Sequence, residues 1–339
     1  MRSTTLPPDL ATVAREATRN GNMRSPARTA RILGLGHHLP PEVVPNGPIA
    51  DRIGVDDAWI VKRTGIRSRR RAADDERLAD LATFAARKAL ADAGVEPYDV
   101  DLILVATMSP DELTPNVAPI VANALGLTVG AYDVGAACTG FLSALSAGAA
   151  QVETGRADVV LVVGAEILSR LTDPDDKRTA SLFGDGAGAV VLGAAGEGEI
   201  GPILLETDGG MAETINGTHA ERYIRMDGHT TFNKAVKVLM ESTRSAVERA
   251  GLTLEDIDLF VYHQANGRIL RAVGQRLGLP EEKVADYVAG MANTSAASIP
   301  IALGLLREDG RLRAGQRLIV GAVGGGFTWG AGIVEWGLA

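Results

Sequence analysis

Ala93-Gly94-Val95-Glu96-Pro97-Tyr98-Asp99-Val100-Asp101-Leu102 and Ala250-Gly251-Leu252-Thr253-Leu254-Glu255-Asp256-Ile257-Asp258-Leu259 carry one pattern twice, 157 residues apart. In both, an Ala-Gly pair is followed at the same spacing by Asp-x-Asp-Leu, which opens an apolar run. Two further matches are colinear: Leu125-Gly126-Leu127 with Leu277-Gly278-Leu279, and Gly155-Arg156 with Gly310-Arg311, at offsets of 152 and 155. Matches in the same order at nearly one offset indicate a duplication. The chain therefore reads as two similar halves, 30–200 and 201–339, each with a helix, a strand, a further helix and a final strand. An offset of 155 sets Cys138 opposite Asn293, each followed by Thr, and brings two polar residues towards the junction, where ligand sites commonly form.

Around the repeats lie the runs RILGLG from Arg31, DLILVAT (101–107), GAYDVG (130–135), ADVVLVVGA (157–165), GAVVLGA (188–194), DLFVYH (258–263), QRLIVGAV (316–323) and AGIVEWG (331–337). They lack strict alternation, which predicts strands buried on both faces in a parallel or mixed sheet covered by helices, an α/β fold. With 339 residues, 46% hydrophobic and 22% charged, and 40 Gly against 15 Pro, the composition excludes collagen-like, coiled-coil and disordered classes. A net charge of −8 argues against a general nucleic-acid or anionic-membrane binder. One cysteine forms no internal disulfide, and no Cys/His cluster points to zinc, so a reducing cytoplasmic setting is expected. No apolar stretch approaches a membrane span of about 20 residues, and the first residues lack a secretory signal pattern. Residues 1–29 read as a poorly ordered extension with one helical turn around Ala11–Thr18.

Cys138 sits in Asp133-Val134-Gly135-Ala136-Ala137-Cys138-Thr139-Gly140-Phe141, ahead of a helical stretch ending at Gly155. Unpaired amides at a helix start favour a thiolate, so a lowered pKa and a nucleophilic role are expected, against the alternative of a small buried hydrophobe. His263 closes the run Val261-Tyr262-His263, at a strand end that faces the crevice where α/β proteins bind ligands. His219 and His229 lie in a polar loop, and His37-His38 read as solvated or turn residues. Asn293, in Gly290-Met291-Ala292-Asn293-Thr294-Ser295, offers an amide donor for a developing oxyanion, or a helix N-cap. Gly184-Asp185-Gly186-Ala187-Gly188 and Gly324-Gly325-Gly326 do not fit a dinucleotide fingerprint. They read as tight turns, with a bare amide in the triplet as a second oxyanion donor beside that of Cys138.

Taken together, Cys138 in GAACTGF, His263 in HQANGRI, Asn293 in NTSAASIP, the segment Trp59–Arg67, Phe183–Ala187 and the closing GGGFTWG resemble the β-ketoacyl-acyl carrier protein synthase III family of the thiolase superfamily, from about residue 30 onward. The resemblance implies a five-layered αβαβα fold of two duplicated halves and a homodimer. It also implies decarboxylative condensation of an acyl-CoA starter with malonyl-acyl carrier protein through an acyl-Cys138 intermediate, with His263 and Asn293 stabilising the enolate and the amides of Cys138 and Gly325 holding the oxyanion. The product would prime fatty acid or polyketide synthesis. Trp59, Arg63 and Arg268 map onto the nucleotide and pantetheine entrance, and Asn266 onto the pantetheine channel. No cofactor or metal is implied beyond the two thioester substrates.

Departures from the family pattern are Ala292 in place of Gly before the catalytic Asn, Thr114 where acetyl-using enzymes carry an aromatic near the acyl pocket, Lys177-Arg178 at a nucleotide-clamping arginine, and Asn233 beside Lys234 where a lysine meets the carrier protein. Thr114 implies a starter larger than acetyl. Lys62, Arg63, Arg67, Arg69, Arg70 and Arg71 read as a basic face for an acidic carrier protein, or as an ordinary solvated segment. A thiolase would need two cysteines, and no glutamate stands out as the base of a 3-hydroxy-3-methylglutaryl-CoA synthase. The competing readings are acyl transfer to an oxygen or nitrogen nucleophile and a non-catalytic ketosynthase partner subunit.

Overall fold

The computed structural model describes residues 28–218 and 220–339. The N-terminal extension up to residue 27, with its expected helical turn at 11–18, and His219 lie outside the described residues.

The first half contributes β1 (Arg31–His38), β2 (Glu42–Pro45), β3 (Ser68–Arg71), β4 (Leu102–Ala106), β5 (Gly130–Val134), β6 (Val159–Ile167) and β7 (Asp185–Gly193). Five of these form a sheet in the order β1-β7-β6-β4-β5; β5, β4 and β6 run parallel, while β7 and β1 add antiparallel. β8 (Glu199–Ile200), the last two residues of the first half as read from the sequence, joins the second sheet, so the boundary falls just before it; the second half contributes β9 (Leu204–Thr207), β10 (Ile215–Asn216), β11 (Arg225–Met226), β12 (Leu259–Tyr262), β13 (Arg317–Gly324) and β14 (Thr328–Glu335). Its sheet repeats the arrangement: β12 lies parallel to β13, which pairs antiparallel with β14, which in turn carries β8 and β9.

Both faces of the central strands are buried, which explains their unbroken apolar runs. Val160 and Val162 of β6 face one cluster and Leu161 and Val163 another; likewise Val261 of β12 and Val320 of β13 face the first cluster, while Phe260 and Ile319 face a third. The shared cluster holds Leu142 and Leu145 of the helix Gly140–Glu153 and Leu303 and Leu306 of the helix Ser298–Glu308, so these two helices form the middle layer. The helix Leu78–Ala93 covers the outer face of the first sheet with Leu81, Ala85 and Ala89, a three-to-four-residue stripe. The helices Gly228–Arg249 and Gly267–Leu277 cover the second sheet with Val236, Leu239, Leu270 and Val273. The five layers are those of the thiolase-like αβαβα fold.

The two middle helices begin beside each other, against β13 and β6. A short 3-10 turn precedes each, Ala137–Thr139 in one case and Ser295–Ala297 in the other. The first residue of each turn has the same left-handed backbone, φ 45° at Ala137 and 44° at Ser295. These residues stand 158 positions apart, so the position equivalent to Cys138 is Ala296. The pairing of Cys138 with Asn293 expected at an offset of 155 is therefore corrected: loops of unequal length make a single offset drift by a few residues between strand and helix.

His37 and His38 also differ from expectation. They lie within β1, and burial lowers both pKa values. His229 stands at the start of the helix Gly228–Arg249, beside Asn233 at 3.2 Å.

Candidate active site

Cys138, His263 and Asn293 line one cavity of about 1120 Å³. Each reaches it from a different end of the scaffold: Cys138 from the turn after β5, His263 from the end of β12, and Asn293 from the segment before the second middle helix.

Cys138 sits half-buried, one turn before the helix Gly140–Glu153. Burial pushes its thiol up to about 11, while the Ser295 hydroxyl and the amides of Cys138 and Gly325 act in the opposite direction. The lowered pKa expected from the helix start is therefore reversed, because desolvation of the thiolate outweighs the donors around it. The glycine triplet packs closely against the turn that carries the sulfur. A Cβ on Gly324 would lie 2.7 Å from the Cys138 nitrogen, and one on Gly325 would touch the Ala137 Cβ at 3.5 Å.

The His263 backbone donates to the Gly321 carbonyl at 2.7 Å, continuing the β12–β13 pairing and fixing the ring towards the middle layer. The ring is 2% exposed; its Nδ1 meets Ser298 Oγ at 2.6 Å, while Nε2 has no partner among the described residues. Burial alone lowers its pKa to about 3, so the imidazole is neutral at ordinary pH.

Asn293 is held at both ends of its backbone. Its N–H donates to the Leu182 carbonyl and its own carbonyl accepts from the Gly184 amide, each at 3.0 Å. This contact explains Gly184: a Cβ there would come within 2.6 Å of the Met291 carbonyl oxygen. The side-chain Oδ1 accepts from the Ser295 amide at 2.9 Å, which leaves Nδ2 without a partner among the described residues. The helix N-cap expected at Asn293 or Thr294 is not formed, since Thr294 caps the short turn without a side-chain bond and Ala297 caps the helix. Ala292 just before it has φ 56° and ψ −158°, a region that glycine alone adopts freely.

Three residues escape sequence reading. Ser295 and Ser298 look like ordinary small residues, and Glu166 lies inside an apolar strand. Glu166 is fully buried; its Oε2 accepts from Thr107 Oγ1 and the Met108 amide at 3.2 Å each and from Ser109 Oγ, and burial pushes it up to about 7.

The cavity mouth carries Trp59, Arg63, Asn266 and Arg268. The Arg63 guanidinium stacks 4.3 Å from the Trp59 ring and the Lys177 ammonium lies 5.2 Å from it. Asn266 caps the helix Gly267–Leu277, accepting from the Arg268 amide at 2.9 Å, while its Nδ2 donates to the Arg63 carbonyl at 3.1 Å. Arg268 stands over Phe232 at 5.1 Å. Thr114 is not among the lining residues: it is exposed on the loop between β4 and the helix Val117–Ala124. Arg69 leaves the basic face as well. Only 4% exposed, it donates to the Ser181 carbonyl and Asn46 Oδ1 in the interior, at 2.9 and 2.8 Å.

Comparison with known proteins agrees with this geometry. Residues 132–209 match the family 3-oxoacyl-[acyl-carrier-protein (ACP)] synthase III, and residues 247–336 match the C-terminal family of the same synthase. The chain is 44% identical over 326 residues to the β-ketoacyl-[acyl-carrier-protein] synthase III of Paracoccus denitrificans, covering 91% of this chain and 100% of the relative. Similar figures hold for the Geobacillus kaustophilus synthase, 44% over 311 residues, covering 91% and 99%. Among solved structures, the Aquifex aeolicus synthase III superposes with a TM-score of 0.88 at 39% identity, covering 91% of this chain and all of that one. The priming β-ketosynthase of the R1128 polyketide pathway superposes equally well, 0.88 at 35% identity over 94% of this chain and 100% of that chain. The chain belongs to the β-ketoacyl-acyl carrier protein synthase III family.

Proposed function

We propose that the protein joins an acyl-CoA starter to malonyl-acyl carrier protein with loss of CO2. The observation that carries this reading is the meeting, in one cavity, of one thiol and two oriented neutral donors, His263 Nε2 and Asn293 Nδ2. The Cys138 sulfur attacks the acyl-CoA carbonyl, the carbon–sulfur bond to CoA breaks, and CoA leaves with the proton. The malonyl thioester then binds with its carbonyl oxygen on the two donors. As the bond to the carboxylate breaks, its electron pair flows into an enolate that these donors stabilise. The enolate carbon attacks the acyl-cysteine carbonyl, whose oxyanion rests on the amides of Cys138 and Gly325, and collapse returns the Cys138 thiolate. This chemistry uses no cofactor beyond the two thioesters.

Trp59, Arg63 and Lys177 at the mouth suit a nucleotide with a phosphorylated tail, Asn266 the pantetheine behind it, and Arg268 an acidic carrier protein. None of Arg63, Lys177 and Arg268 is paired with a carboxylate among the described residues. A homodimer is supported by β5, the open edge of the first sheet with Tyr132 45% exposed, and by Leu113, 87% exposed on the neighbouring loop. Since Thr114 stands outside its own cavity, it shapes an acyl pocket only across such an interface, and there its small side chain favours a starter larger than acetyl. A free nucleophilic thiol suits a reducing, cytoplasmic setting.

The test is intact-mass measurement after mixing with acyl-CoAs of increasing length. An adduct that is absent in Cys138→Ala and strongest beyond acetyl is expected. No adduct with any donor would overturn the reading in favour of a partner subunit.

A further inference from the structure

We propose that the Ser298 hydroxyl fixes His263 as the tautomer with its proton on Nε2, making Ser298 a positioning residue for the donor that faces the cavity. Ser298 is fully buried at the first turn of the second middle helix. Its Oγ accepts from the Gln264 amide at 3.2 Å and meets His263 Nδ1 at 2.6 Å. The hydroxyl has one proton to place, and among the described residues Nδ1 is the acceptor within reach. If Nδ1 carried the ring proton instead, Oγ would accept twice and its own hydrogen would be buried without a partner. Such an orphan donor is disfavoured by roughly tenfold or more. The arrangement therefore leaves Nδ1 bare, accepting from Ser298, and puts the proton on Nε2, which is buried and without a partner among the described residues.

The same contact makes His263 a donor and not a base. Gln264 locks the geometry: its side-chain nitrogen donates to the carbonyls of Tyr262 and Ala285 at 2.7 and 3.1 Å, and its Oε1 accepts from the Tyr287 amide at 2.8 Å. The amide that Ser298 accepts from is thus immobile, and the hydroxyl has a single orientation.

The tautomer follows from the hydrogen bonds alone, whereas its kinetic consequence rests on the condensation reading; the test separates the two. Long-range ¹H–¹⁵N correlation spectra of the full-length protein labelled at histidine, with His263 assigned through His263→Asn, read the ring proton directly. The expected pattern is a protonated Nε2 and bare Nδ1 in the wild type, a shift of proton towards Nδ1 in Ser298→Ala, and recovery in Ser298→Thr. In parallel, Ser298→Ala should acylate Cys138 within about twofold of wild type while kcat for malonyl decarboxylation falls about ten- to a hundredfold at nearly unchanged KM. A wild-type proton on Nδ1, an unchanged pattern in Ser298→Ala, or equal losses in acylation and decarboxylation would overturn the proposal. A wild type that takes no acyl group would overturn the condensation reading instead, and the nitrogen pattern would still decide the tautomer.

Discussion

Gly324 packs so tightly on Cys138 that a β-carbon built on it would stand 2.8 Å from the Cys138 Cβ and 2.7 Å from its nitrogen. A side chain at 324 must push the turn that carries the nucleophile away from the glycine triplet. Gly324→Ala should therefore cost about 1–3 kcal/mol of stability by overpacking. It should also slow Cys138 acylation more than the stability loss accounts for, because the two amides aimed at the sulfur move apart. Chemical denaturation together with single-turnover acylation checks this, and a variant with wild-type acylation would refute the packing argument.

The raised thiol pKa sets the reactivity of the resting enzyme. With Cys138 pushed up to about 11 by burial, the thiolate fraction grows with pH through the neutral and alkaline range. Iodoacetamide alkylation should accelerate about tenfold per pH unit from 7 to 10. A rate already level at pH 7 would mean that the helix start prevails over desolvation.

Glu166 makes stability depend on pH. Its carboxyl titrates near 4.5 in the unfolded chain and about 7 in the folded one, so the fold favours the protonated form. The favourable contribution is complete below about 4.5 and is lost as pH rises through 7, on the order of 3 kcal/mol. Glu166→Gln keeps the shape but cannot ionise. The difference in Tm between wild type and variant should therefore move in favour of the variant between pH 5 and 8, whereas a difference that stays constant across this range would exclude a neutral buried Glu166.

Ala292 holds a glycine-like backbone, φ 56° and ψ −158°, beside Asn293. Strain there is of order 1–3 kcal/mol, partly offset by the freedom that glycine gains in the unfolded chain. Ala292→Gly should raise the urea midpoint by about 1 kcal/mol in stability at constant m. A lowered midpoint would show that the Ala292 methyl contributes more packing than strain.

The duplication was readable in the sequence because the repeated aspartates do the same work. Asp101 Oδ2 accepts from the amides of Asp158 and Val159, at 2.7 and 3.0 Å, and Asp258 Oδ2 accepts from the Arg317 amide at 2.8 Å. Each ties the start of one parallel strand to the next, so the side chain and its spacing persist in both halves. The principal site residues were legible for a related reason: a cysteine before a small-residue helix and a histidine ending an apolar run are chemically conspicuous. Their supports were not. Ser298 and Glu166 act through contacts with residues distant in sequence, and local sequence carries no sign of which serine will face a histidine. Arg69 misled because a run of arginines looks solvated until Asn46 and the Ser181 carbonyl, distant in sequence, close around one of them.

The central claim is that His263 and Asn293 stabilise the enolate formed by decarboxylation, while Cys138 is acylated without them. Its most direct test is CO2 release from malonyl-acyl carrier protein on pre-acylated enzyme, compared for wild type, His263→Ala and Asn293→Ala. The account predicts that both variants retain the acyl-Cys138 adduct and lose CO2 release by about a hundredfold or more. An acylated wild type that releases no CO2, or variants that release it at the wild-type rate, would contradict it.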